Sequence, residues 1–273
     1  MLALERQLSD IEKHLPKKNY SFPNGKNITT RFHKKIEEEQ EDCAMEQFGG
    51  DKKIGRSFLT GPETRLKNWA VPKISPEIET YHLTLTTLLW SFINILIGFE
   101  AKEHLSLLWL VSLMILLQYL TDLFDGELGR QRDTGLIKWG FYMDHFLDYI
   151  FLCSLVFVGY MISPAGLEIW YFALLVILGG FMVNSFLAFG ATNEFQIYHY
   201  GIGPTEMRVV FILINTFIIS FGTDSFNILL PLTVILCFIG LLINTLQVHG
   251  RLWQYDMQVK GLQQEKIRKE KEG

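Results

Sequence analysis

The 273-residue sequence has little of what stabilises most soluble domains. Cysteine occurs only at Cys43, Cys153 and Cys237, an odd and scattered set that gives no disulfide framework. Two of the three fall inside apolar runs, where a thiol behaves as a small buried side chain. Basic charge is not in excess: 25 Lys and Arg stand against 29 Asp and Glu, a formal net charge of −4. That balance, with no dominant basic face, excludes nucleic acid as the expected partner. The first residues lack the apolar core of a signal peptide. Charge itself is scarce over long stretches, and most of it sits in residues 1–79, 127–138 and after 250.

Apolar residues, 49% of the chain, fill the gaps. The apolar runs are His82–Phe99, Leu105–Phe124, Gly140–Ile162, Glu168–Gly190, Met207–Gly222 and Phe226–Gln247. The fifth is the shortest and can extend back to Pro204. A run of about 18 or more apolar residues is a membrane span rather than a core helix. None shows the two-residue alternation of a membrane barrel. Helices satisfy their own backbone polar groups in lipid, so the expected fold is all-α, a bundle of six transmembrane helices. Six crossings put both termini and the loops 125–139 and 191–206 on one side. That side carries 24 of the 25 basic residues, since the opposite loops hold only Lys102. Cytoplasmic termini follow, and the sequon at Asn27 then lies where glycosylation does not occur.

Four segments are expected along the chain. Residues 1–57 form a polar cytoplasmic extension, with a short amphipathic helix in Met1–Leu15 and no recognisable chemistry. Residues 58–79 mix Arg65, Lys67 and Trp69 with Leu66, Val71 and Ile74, which suits an interfacial juxtamembrane helix in the headgroup layer. Residues 80–250 form the membrane domain. Residues 251–273 form a charged cytoplasmic tail, helical at first and then frayed.

Charge inside the spans carries the chemistry. Asp122 and Asp125 are three apart at the end of the second run; Asp144 and Asp148 are four apart at the start of the third. Each pair shares a helix face. The connection turns the chain back, so all four reach the same depth near the cytoplasmic surface. An aspartate at a span centre costs about 2.5–3.5 kcal/mol, less near the ends, and clustering adds repulsion. Positive charge between the carboxylates resolves both costs. Hard divalent cations take oxygen ligands. Two such ions about 3.5–4 Å apart clamp a phosphate during in-line displacement. Gly126 leaves room for a phosphate beside the backbone, and Arg130 offers a planar fork to its oxygens. Ordinary salt bridges from the carboxylates to Arg130, Arg132 and Lys138 are the plain alternative.

The pattern Asp122-x-x-Asp125-Gly126-x-x-Gly129-Arg130, a nine-residue spacer, then Gly140-x-x-x-Asp144-x-x-x-Asp148 resembles the signature of the CDP-alcohol phosphotransferase family. Gly129 stands where alanine is usual, the spacer is slightly long, and Tyr81-His82-Leu83-Thr84 replaces an Asn-x-x-Thr. The resemblance implies an enzyme of phospholipid synthesis, with a CDP-alcohol and a lipid as substrates and a homodimeric assembly. It implies two Mg2+ or Mn2+ ions held by Asp122, Asp125, Asp144 and Asp148, with Asp148 also the general base. Gly126, Gly129 and Arg130 would face the cytidine diphosphate.

His145, after the third aspartate, and Gly203-Pro204-Thr205-Glu206 are similar to the choline/ethanolamine phosphotransferase branch. There the histidine and glutamate would help deprotonate a diacylglycerol hydroxyl, so His145 and Glu206 are further catalytic candidates. The expected reaction moves a phospho-alcohol from CDP-ethanolamine or CDP-choline to diacylglycerol, releasing CMP. The rival within the family uses CDP-diacylglycerol and a soluble alcohol. A phosphorylated acceptor calls for several basic residues, and Arg208, Arg132 and Lys138 are few for that task. A divalent-cation carrier is the alternative from another class. It calls for charge at the bilayer midplane and repeated halves, and the sequence has neither. Asn184 and Tyr198-His199-Tyr200 are polar positions assigned to packing or the interface.

Overall fold

A computed structural model describes residues 60–134, 136–192 and 204–272. The helix expected in Met1–Leu15, the sequon, Cys43, Gly203 and Tyr198-His199-Tyr200 lie outside the described residues. Those described form seven α-helices and no strand. In chain order they are α1 (Thr60–Ala70), α2 (Thr80–Ala101), α3 (Leu108–Arg132), α4 (Ile137–Ile162), α5 (Glu168–Thr192), α6 (Pro204–Phe221) and α7 (Phe226–Glu272). A 3-10 turn at Val71–Lys73 follows α1, and another at Leu105–Leu107 leads into α3.

Each apolar run became a helix. Helix α2 packs along both α3 and α4; α6 lies on α3, and α5 on α4 and α7. Ile97, Val111, Ile115, Phe151 and Val158 are buried where α2, α3 and α4 meet. Most of α5 faces outward, with only Tyr171 and Ile177 buried. Exposed Phe172, Val176 and Val183 on that helix suit lipid rather than water.

The start of α2 explains an oddity of the sequence. The Glu79 side chain accepts from the backbone N–H of His82, and His82 Nδ1 accepts from the backbone N–H of Glu79 at 3.0 Å. His82 thus completes a capping box and satisfies donors that helix geometry leaves unpaired.

Five helical stretches are long and apolar enough to cross a membrane: Thr80–Ala101, Leu105–Arg132, Ile137–Ile162, Glu168–Thr192 and Phe226–Lys269. The expected six become five on this measure. Helix α6 has 18 residues, about 27 Å of rise against a core of about 30 Å. Its first turns also carry Glu206 and Arg208. It nevertheless runs antiparallel to α3 over that helix's apolar length. Arg208 meets Gln118 and Asp122, Asn215 donates to Ser112 Oγ at 3.1 Å, and α6 also contacts the Leu105–Leu107 turn.

Two boundaries moved. Helix α3 continues through Arg132, eight residues past the expected end of the run at Phe124, so the segment expected as loop is largely helix. Glu127 explains part of this, accepting from Arg130 at 2.9 Å and Gln131 at 3.1 Å, three and four residues on. Helix α7 runs unbroken to Glu272, where fraying was expected. Its 47 residues rise about 70 Å, so its C-terminal half extends far beyond any bilayer core.

Candidate active site

The α3–α4 hairpin positions the acidic residues. Helix α3 ends at Asp133, whose φ of 48° is left-handed, a conformation aspartate tolerates better than most side chains. The N–H of Thr134 returns to the Gly129 carbonyl at 3.3 Å, and α4 begins at Ile137. This tight reversal brings the ends of both helices to one level.

Three of the four aspartates converge there. Asp122, Asp125 and Asp144 each offer a carboxylate oxygen, and these oxygens lie within 4.8 Å of one another. Asp125 is 7% exposed and accepts from Thr84 Oγ1 at 2.6 Å. Thr84 is the threonine retained from the altered Asn-x-x-Thr, so that contact survives the change at Tyr81. Asp148 lies one turn along α4 from Asp144 and accepts from Gln118 Nε2 at 2.7 Å.

A counter-charge comes from within the protein. Arg208 Nη2 donates to Asp122 Oδ2 at 2.7 Å and lies 3.7 Å from Asp148 Oδ1. Its Nε donates to Gln118 Oε1 at 2.9 Å. Arg208 was expected as one of the few basic residues available in the core. The structure instead engages it with the aspartates, because α6 crosses α3 at their depth. Gln118, 1% exposed, therefore links Arg208 to Asp148 through its two amide ends. One guanidinium cannot balance four carboxylates. The converging oxygens, hard and anionic, fit a divalent cation held by Asp122, Asp125 and Asp144.

The salt bridges suggested by sequence go elsewhere. Arg130 pairs with Glu127 at 2.9 Å. Arg132 Nη2 donates to the carbonyls of Ile74 and Ser75, each at 3.1 Å, and Nη1 to that of Ile78, so it fastens the chain before α2 to α3. Lys138 is exposed.

The remaining site residues surround this centre. A Cβ at Gly126 would meet Arg130 Nη1 at 3.7 Å, and one at Gly129 would meet Thr80 at 3.5 Å. The second contact is ordinary, so alanine would also fit at Gly129. His145 stands beside Asp144, Nδ1 to Oδ2 3.9 Å, and its Nδ1 lies 2.6 Å from the Phe141 carbonyl. That short contact places the ring proton on Nδ1. Phe141 and Phe186 pack against the imidazole. Glu206 is half-buried in the first turn of α6.

A family model, CDP-alcohol phosphatidyltransferase, matches residues 81–242, more than half of the chain. The chain belongs to the CDP-alcohol phosphatidyltransferase family. No curated protein matches it. Family membership makes the protein a membrane transferase of phospholipid synthesis, acting on a CDP-alcohol and a lipid. The aspartate cluster is compatible with the divalent metal typical of these transferases. Gln118, Glu63 and Tyr119 were not anticipated as neighbours of the transferase site. Gln118 is legible in hindsight, since it lies four residues before Asp122 on the same face. Glu63 left no signal, because its partners lie 56 and 142 residues away.

Proposed function

We propose that this transferase moves a phospho-alcohol group from CDP-ethanolamine or CDP-choline to the hydroxyl of diacylglycerol, releasing CMP. The observation that carries the choice of acceptor is the engagement of Arg208 with Asp122, Asp148 and Gln118. With Arg132 bound to backbone carbonyls and Arg130 to Glu127, the site is poor in cations for a phosphorylated acceptor. A neutral lipid needs none.

The residues have distinct tasks. Asp122, Asp125 and Asp144, with Asp148 beside them, would hold two Mg2+ or Mn2+ ions, which supply charge neutralisation and orientation for a diphosphate. Asp148 receives the proton of the attacking hydroxyl as its oxygen bonds to phosphorus and the bond to CMP breaks. Gln118 donates to Oδ1 of Asp148 and so fixes the carboxylate for that transfer. His145 and Glu206 serve as a second proton relay, useful because a lipid alcohol is a weak acid. Gly126, Gly129 and Arg130 face the cytidine diphosphate.

Helix α6 is taken as a sixth crossing, supported by its antiparallel course along α3 from Asp122 to the Leu105–Leu107 turn. Six crossings and the one-sided distribution of basic residues support a cytoplasmic location for both termini and the site. Helix α1 lies in the headgroup layer, supported by Trp69, 64% exposed with Lys73 Nζ 3.7 Å from its ring centroid. The test is product identity by mass spectrometry after incubation with both substrate types. Phosphatidylethanolamine or phosphatidylcholine formed from diacylglycerol is the expected result. Product formed only from CDP-diacylglycerol and a soluble alcohol overturns the reading.

A further inference from the structure

Glu63 lies on α1, outside the motif and outside the expected membrane domain. Its Oε1 accepts from Tyr119 Oη at 3.0 Å and from Thr205 Oγ1 at 3.1 Å. One carboxylate oxygen therefore joins α1 to α3 and to the first turn of α6. Both partners border Arg208. Thr205 is three residues before it on the same face of α6. The Tyr119 ring centroid is 5.5 Å from the Arg208 Cζ, a cation–π separation. Arg208 in turn donates to Asp122 and Gln118, and Gln118 donates to Asp148. Lys67 Nζ, one turn along α1 from Glu63, lies 3.9 Å from Glu127 on α3 and helps keep the short helix in place.

We propose that Glu63 is a positioning residue for the transfer step, holding Tyr119 and Thr205 so that Arg208 stays against Asp122 and Asp148. The inference rests on the reading of those aspartates as the reaction centre. The contacts run from Glu63 to Tyr119 and Thr205, from Tyr119 to Arg208, from Arg208 to Gln118 and Asp122, and from Gln118 to Asp148, while Thr205 shares the helix face of Arg208. A juxtamembrane helix that merely rested on the membrane would need no such connection. The accepting oxygen, rather than the charge, is the group that makes both hydrogen bonds.

The test combines turnover with proximity. Glu63→Ala is expected to lower kcat about tenfold while KM for the CDP-alcohol changes less than about twofold. Glu63→Gln, whose amide oxygen can accept from both hydroxyls, should return kcat to within about threefold of the unaltered protein. If Glu63 acts through Arg208, adding Glu63→Ala to Arg208→Ala causes no further loss. Separately, Glu63→Cys with Thr205→Cys, in a chain whose Cys43, Cys153 and Cys237 are alanine, should be joined by a short bifunctional thiol reagent. Multiplying effects in the double variant, unchanged kcat in Glu63→Ala, or failure of the cross-link overturns the proposal. Cross-linking in a chain that transfers with no CDP-alcohol and lipid pair overturns the proposed function and leaves the tether supported.

Discussion

The C-terminal end of α3 and the pair α5–α7 are built from similar apolar helices and use them in opposite ways. Around α3, burial goes to polar groups: Asp125 and Gln118 are nearly inaccessible, and each has a defined partner in Thr84, Asp148 or Arg208. Along α5, large apolar side chains such as Phe172, Val183 and Leu187 are exposed, and close approach to α7 comes from small residues. In water this would be an inverted molecule. In lipid it is the expected economy: tails solvate the apolar surface at no cost, while polar groups survive only in satisfied networks. A network can aim atoms at a substrate, and a lipid-facing surface cannot.

Removing what the network is built to hold should have the largest effect. In excess chelator, CMP release should fall to background and return on adding Mg2+ or Mn2+, followed as nucleotide release. Asp148→Asn should also abolish turnover but keep nucleotide binding, since an amide holds position without accepting the proton. Robust turnover in trace-metal-free chelator breaks the account of the carboxylates.

Arg208→Ala comes next. It leaves Asp122 and Asp148 without their guanidinium; the pairs are part-buried, so the cost lies below the roughly 3–5 kcal/mol of breaking a fully buried pair. The apparent melting temperature in detergent should drop clearly. Arg208→Lys should not restore it, because Nε and Nη2 serve Gln118 and Asp122 separately.

The lipid-facing region should respond to charge and ignore size. Val183→Lys puts a cation on the outer face of α5 and should impair insertion by about 2.5–3.5 kcal/mol, measured by glycosylation mapping. Val183→Ala should be close to neutral. The smallest effect belongs to Gly180→Ala, whose Cβ would meet Leu241 Cδ2 at 2.9 Å. The atom in the way ends a flexible side chain, so a loss under about 1 kcal/mol in thermal stability is expected. A larger loss would mean that the α5–α7 crossing is as tightly specified as the site.

The same contrast explains what the sequence revealed. Lipid exposure writes a continuous apolar signal, and every run it marked is a helix, with Glu168 and Phe226 recovered as starting residues. The aspartate pairs were legible because spacings of three and four residues report a shared face locally. The helical continuation through Gly126, Glu127 and Arg130 was not, since hydropathy treats charge as loop while side-chain pairing along the helix supports it. Arg208 was seen as a cation but not as the partner of Asp122, 86 residues away. Pairing across elements depends on how helices cross, and no local pattern encodes that.

The left-handed residue at Asp133 has one more consequence. With so short a turn, the two aspartate pairs cannot drift apart without unwinding a helix end, so the hairpin behaves as a single part with fixed jaws. Glu63 and Arg208 reach those jaws from other segments, by side chains alone. A shift of α1 or α6 then changes how the jaws are braced, and with it the rate of the step they perform, while the spacing of the jaws themselves stays set by the turn.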